Sequence, residues 1–238
     1  MTEFWNEDLP PGYYDEILLE GLERKRGIQS NWHNVTFLEV SNYFANKIKH
    51  LDYACGPGTL IGSYSICQST GVDISDLQIK FAKNKYGTKN KFLTLKEFDE
   101  NDEDYFDFDL ITIIGLFEFI NDDEILRVLD MLYKKLTPDG KVIITTPNYE
   151  SNMKYLEKAV NIFGTVGYKN QHINRFSKQR LIKLISNSRF NVIEIKSILN
   201  FGIFFSLFSI QLGKYLNTFV KKHIFKKNGY LLLAILEK

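Results

Sequence analysis

The amino-acid sequence predicts an α/β fold, a doubly wound and mostly parallel sheet with helices on both faces. Three observations predict it. Short β-branched runs alternate with stretches of helical spacing from His50 onward. The run "LITIIGLF", Leu110 to Phe117, is apolar without alternation, as expected of a strand covered on both faces. A glycine turn, "HLDYACGPGTLIGS", leads from the first strand into a helix. The chain has 238 residues, which suits one domain, 1–238, with a single core.

Taken in order, Trp32 to Ile48 reads as a helix whose stripe is Trp32, Val35, Phe37, Leu38, Val40 and Phe44. His50 to Ala54 is the first strand, and Thr59 to Ser65 opens the next helix. "STGVDIS", Ser69 to Ser75, is a strand ending in Asp73, followed by a helix over Asp76 to Lys85. Lys91 to Leu95 is a weaker strand, and an acidic run leads into Leu110 to Phe117. Asn121 to Leu136 carries acids at its start and lysines at its end, complementing a helix dipole. "TPDGKVIITTPN" gives a turn and a strand, Tyr155 to Tyr168 a helical or irregular stretch, and Ser177 to Asn187 a helix. Strands at Phe190 to Ile198 and in "GYLLLAILEK" close the chain. Their long connection points to an antiparallel addition at one sheet edge.

Composition narrows the classes. Thirty Lys and Arg stand against 29 Asp and Glu, so no global electrostatic case for nucleic acid arises, and no nucleic-acid partner is expected. Cys55 and Cys67 make no metal-ligand pattern, and no metal is expected. Few cysteines and an acidic N-terminus without a signal-peptide pattern point to the cytoplasm.

In an open α/β sheet, ligands sit beyond the carboxyl ends of strands, often at the first strand-turn-helix. Asp52 to Gly58 is that turn here, and Asp73 ends the next strand about twenty residues on, where a carboxylate suits ribose hydroxyls. A dinucleotide fingerprint would need a third glycine where Ile61 stands, and Asp52 would repel a diphosphate. No Gly-Lys-Ser/Thr follows, which excludes a Walker loop. The ligand these residues suit combines a ribose with positive charge.

"LDYACGPGTL", "GVDIS", "FDLITIIGLFEFI" and "LTPDGKVIITTPN" resemble, in order and spacing, the motifs of class I S-adenosylmethionine-dependent methyltransferases, especially small-molecule enzymes related to ubiquinone-biosynthesis O-methyltransferases. The resemblance covers Trp32 to Asn148 and, more weakly, "QHINRFSKQRLIKLISNSRFNVIEI". It implies a Rossmann-like sheet of seven strands with the last antiparallel, and S-adenosylmethionine as cofactor with S-adenosylhomocysteine as product. It further implies that Asp52, Ala54, Gly56 and Gly58 surround the methionine part and that Asp73 and Ile74 hold ribose and adenine. Glu97 and Phe98 fall where the family contacts adenine, and Phe117 and Glu118 beside the methyl group and substrate. Two departures stand out: Ala54 replaces a common glycine, and Phe119 a frequent histidine.

The reading is therefore methyl transfer to a hydroxyl of a small-molecule acceptor: a sugar, glycan precursor or lipid intermediate. The alternative is a catalytically silent cofactor-binding protein acting as a partner-binding module. A hydroxyl nucleophile benefits from a base, and His172 in "NQHINRFS" is the first candidate, with His33 the second. Residues 1–47 read as a helical lid or cover in which Tyr13, Tyr14, Gln29 and Trp32 line the acceptor side, with Glu118 opposite. The segment 201–228, aromatic and then basic, is an insertion between the last two strands. It reads as a hydrophobic cover, a dimer contact, or a surface peripheral to a membrane.

Overall fold

The computed structural model describes residues 9–100, 105–151, 153, 172–223 and 229–238. Two helices, α1 (Tyr13–Glu23) and α2 (Ile28–Ser41), precede β1 (Lys49–Tyr53). There follow α3 (Thr59–Tyr64), β2 (Gln68–Asp73), α4 (Asp76–Tyr86), β3 (Lys91–Thr94), α5 (Leu95–Glu100) and β4 (Phe108–Ile114). The chain continues through α6 (Asp122–Lys135), β5 (Leu136–Pro147), α7 (Lys178–Ile185), β6 (Asn191–Ile198), α8 (Ile210–His223) and β7 (Leu231–Glu237). Short 3-10 turns lie at Phe117–Phe119 and Phe201–Leu207. The stretch Tyr155 to Tyr168 and residues 224–228 of the insertion lie outside the described residues.

The seven strands form one sheet in the order β3-β2-β1-β4-β5-β7-β6. All pairings are parallel except those of β7, which runs antiparallel to both β5 and β6. Because β1 lies between β2 and β4, the strand order reverses there, and a crevice opens at the carboxyl ends of β1 and β4. Alternation along the strands divides the core. Ile111, Ile113, Val142 and Ile144 pack under α6 and α7 on one face, while Leu110, Ile143, Leu233 and Ile235 pack under α2 on the other.

Local signals explain the element ends. The N-terminus of α6 carries a full capping box, Asn121 and Glu124 bonding each other's backbone amides, and Lys134 and Lys135 close its last turn. Ser75 caps α4 through the Gln78 amide. Helix α2 begins four residues earlier than Trp32 and stops at Ser41, where Tyr43 and Phe44 turn back onto Val40 and Ser41 carbonyls and Phe44 drops into the core. α1 forms from the aromatic and acidic stretch after Gly12, whose left-handed φ of 78° starts the helix against the Phe81 ring.

Residues 201–223 fold onto the N-terminal helices, forming one layer with them. Gly27 donates its amide to the Ser206 carbonyl at 2.7 Å, and Ile210 to the Lys25 carbonyl at 2.9 Å. The buried Asn31 amide donates to Ser206 Oγ at 2.7 Å. Gly213 has no side chain because Ser206 Oγ would sit 1.9 Å from a Cβ there.

Candidate cofactor and acceptor site

Asp52 stands next to last in β1, in register with Thr112 of β4. Their side chains lie on the face covered by α2, where Thr112 Oγ1 donates to Asp52 Oδ1 at 2.6 Å. That single hydroxyl proton being spent, Thr112 accepts from His50 Nε2 at 2.9 Å, and His50 Nδ1 then accepts from Ser69 Oγ at 2.9 Å. The line Ser69, His50, Thr112 and Asp52 is a buried polar wire through an apolar layer. Burial holds His50 neutral, its pKa pushed down to about 3. Burial also pushes Asp52 up to about 7, against the Thr112 bond and with the help of the neighbouring Asp73.

The turn beyond Asp52 is built from left-handed residues: Ala54 at φ 66°, Gly56 at 52° and Gly58 at 76°. The two glycines serve different ends. A Cβ on Gly58 would lie 2.5 Å from the Phe92 ring, so this position is closed by packing. A Cβ on Gly56 would meet nothing within 4 Å, so the backbone there borders open space. Gly56 donates its amide to Asp73 Oδ2 at 2.7 Å, and Ser75 to Oδ1 at 2.9 Å, which ties the turn to the carboxyl end of β2. Burial raises the Asp73 pKa while the Ser75, Gly56 and Ile74 amides oppose the shift.

A groove of about 510 Å³, starting at the residue after Asp73, lies between Ile74, Asp76, Thr94, Leu95, Lys96, Asp99 and Glu100. Of the adenine positions read from the sequence, Ile74 lines it. Glu97 turns to Lys83, at 3.1 Å, and to the Thr94 amide, at 2.8 Å. Phe98 is fully buried in the core, stacked at a tilt on Tyr105. Helix α5 explains the offset: it starts at Leu95, so its apolar Phe98 turns inward while Leu95, Asp99 and Glu100 border the groove. A signal existed, since residues just past a strand's carboxyl end line such a crevice.

Beyond β4, Phe117 is fully buried, and Glu118 is buried with Thr146 Oγ1 donating to its Oε2 at 3.0 Å. Burial pushes the Glu118 carboxyl up to about 7. Its backbone carbonyl accepts the amides of Ile173 and Asn174, which anchors His172 beside the same turn. His172 Nδ1 lies 3.0 Å from Tyr149 Oη, with its ring edge-on to Phe119. Tyr149, Thr112 and Thr146 were not singled out from sequence. The threonines carried a mark, being hydroxyls inside strands otherwise made of aliphatic residues.

The N-terminal aromatic residues form a cluster of their own. Tyr13 meets Tyr14 edge-on, Tyr14 meets His33, and His33 lies against Phe37. Burial pushes His33 down to about 4. Gln78 bonds the Gly12 amide and the Pro10 carbonyl, fastening this cover to the first turn of α4 beside Asp76. Trp32 belongs to a separate cluster with Tyr230 and Phe204, and Gln29 is exposed at the start of α2. Tyr13, Tyr14 and His33 are thus brought together, and Glu118 with His172. Among the described residues no group of His, Cys, Asp or Glu is arranged to hold a metal.

This arrangement fits a nucleoside carrying a cationic tail. A buried acid at Asp52 calls for a positive partner, Gly56 leaves room for close approach, and Asp73 stands between that turn and the Ile74 groove.

Comparison with known proteins gives the same direction. Residues 24–195 match the family model described as a methyltransferase domain. The uncharacterized protein RP028 of Rickettsia prowazekii (strain Madrid E) is 29% identical over 150 residues, covering 59% of this chain and 59% of that protein. This chain thus spans about three-fifths of the curated relative it matches. A SAM-dependent methyltransferase from Archaeoglobus fulgidus superposes with a TM-score of 0.61 at 16% identity, covering 87% of this chain and 93% of that one. For magnesium protoporphyrin IX methyltransferase (ChlM) from Synechocystis PCC 6803 with bound SAH, the TM-score is 0.55 at 13% identity, over 89% and 83%. A TehB-like SAM-dependent methyltransferase from Corynebacterium glutamicum gives 0.54 at 16%, over 87% and 94%. At these identities the likeness is one of fold.

Proposed function

Since this chain belongs to the methyltransferase domain family, whose model spans residues 24–195, we propose that it is an S-adenosylmethionine-dependent methyltransferase acting on a hydroxyl of a small molecule. The observation that carries the reading is the convergence of Asp52, the open Gly56 turn and Asp73 at the sheet's switch point. The ChlM structure, with SAH bound on the same fold, supports S-adenosylhomocysteine as the product.

The cofactor supplies an electrophilic methyl group on a sulfonium, open to in-line displacement by a nucleophile. Asp52, when ionised, faces the α-ammonium. Asp73 accepts ribose hydroxyls with the lone pairs that the Gly56 and Ser75 amides leave over, a carboxylate having about four acceptor sites. Ile74 and Leu95 clasp the adenine. His172 accepts the acceptor's hydroxyl proton, oriented by Tyr149, and Glu118 holds the turn on which His172 is seated. His33 is neutral near pH 7 and, at about 4, too weak a base for that task. With Tyr13 and Tyr14 it forms the wall that excludes water. Gln29 and Trp32 lie apart from this wall, and the acceptor is a sugar, glycan precursor or lipid intermediate.

The test is turnover with methyl-labelled S-adenosylmethionine over a panel of such hydroxyl compounds. Label recovered in an ether is expected, with kcat lowered about 100-fold or more in His172→Ala while S-adenosylhomocysteine affinity is kept. Label on nitrogen or carbon, or cofactor binding without transfer to any hydroxyl, would contradict the proposal.

A further inference from the structure

Residues 197–236 carry five lysines and no acidic residue, although over the whole chain basic and acidic residues number 30 and 29. That stretch contains the 3-10 turn Phe201–Leu207 and helix α8. Strand β6, like β5, runs antiparallel to β7, so Ile198 and Pro147 both lie opposite Leu231 at the carboxyl edge of the sheet. The insertion therefore leaves and rejoins the sheet on the edge that bears the cofactor turn.

Helix α8 is amphipathic in an unusual sense. Among the described residues it buries Ile210, Gly213, Asn217 and Val220, two of them small or polar. Gly213 admits Ser206, and Asn217 accepts the Asn200 amide at 2.8 Å and the Asn200 side-chain amide at 2.7 Å. These contacts, with buried Ile210 and Val220, fix the helix and leave Leu212, Tyr215 and Phe219 turned outward. Phe208 is 74% exposed, Tyr215 65% and Leu207 59%, with Leu212 between them and the exposed Lys214 alongside. An ordinary surface helix turns its apolar stripe to the core.

We propose that this face docks the protein on an anionic lipid bilayer, with Leu207, Phe208, Leu212 and Tyr215 entering at headgroup level and Lys214 meeting acidic headgroups. Charge selects lipid over a second copy of the chain. A twofold contact would press an acid-free, lysine-bearing stretch against itself, whereas an anionic surface complements it. Among the described residues no helix is long and apolar enough to cross a membrane, so the attachment lies in the interface plane.

Co-sedimentation of the full chain with vesicles tests this, comparing phosphatidylcholine alone with phosphatidylcholine containing phosphatidylglycerol. Binding to the anionic vesicles only, weakened by salt, is expected. The variant L207S/F208S/Y215S should bind them at least about tenfold more weakly while keeping wild-type circular dichroism and S-adenosylhomocysteine affinity. Lys214→Glu should weaken binding in the same direction. Wild-type binding by the folded triple variant, or no vesicle binding by the wild type, would overturn the proposal. So would a dimer in gel filtration that the triple variant dissociates without any lipid effect.

Discussion

Asp52 and Glu118 are carboxyl groups placed where water does not reach them, and burial pushes both up to about 7. The native ligand-free protein then retains protons that the unfolded chain releases just above the ordinary values of 3.8 and 4.5. Stability contributed by the protonated forms is complete below those values and lost as pH rises towards about 7. Thermal unfolding should show Tm falling from about pH 5 to about pH 8, with a shallower slope in Asp52→Asn. Binding runs the opposite way, because only ionised Asp52 attracts an ammonium. S-adenosylhomocysteine affinity should fall as pH drops below about 7, and Asp52→Asn should flatten that dependence. A flat profile for wild type would remove Asp52 from the cofactor's charge recognition. At this scale the acids were legible in the sequence, since Asp52 and Asp73 each end a strand beside a turn. Their partners were less so. Thr112 and His50 read as ordinary strand residues until register brings them opposite each other on β4 and β1.

The β1–α3 turn separates packing from binding within three residues. Gly58→Ala would drive a methyl into the Phe92 ring, so it should destabilise the fold by about 2 kcal/mol or more, read by denaturant unfolding. Gly56→Ala meets open space and bears only the cost of its left-handed φ, so its larger effect should be on cofactor affinity. Ala54→Gly relieves a left-handed alanine and should stabilise the protein by up to about 1 kcal/mol. Equal losses of stability in Gly56→Ala and Gly58→Ala would contradict this division. Strands were readable because runs such as "LITIIGLF" and "VIITTP" are too short and too β-branched for buried helices. Helix α5 was not, since an acidic stretch gives no clear apolar period. Phe98, read with Glu97 on the adenine side from the resemblance, is turned into the core by α5.

Across the whole molecule, the sheet presents one working edge. The carboxyl ends of β1, β2 and β4 carry Asp52, Asp73 and Glu118, and the helices of residues 13–41 pack together with residues 201–223. The sequence marked both cover segments as aromatic, but their union depends on contacts such as Asn31 to Ser206, across 175 positions, which no local pattern announces. This edge is shaped to receive a nucleoside with an amino-acid tail. Calorimetric titration of the folded protein with S-adenosylhomocysteine, with NAD as the control and Asp73→Ala alongside, tests it most directly. Saturable binding of S-adenosylhomocysteine is expected, none of NAD, and at least about tenfold weaker binding in Asp73→Ala through the lost ribose bonds. Folded wild-type protein that fails to bind S-adenosylhomocysteine, or binds it equally well as Asp73→Ala, would contradict it.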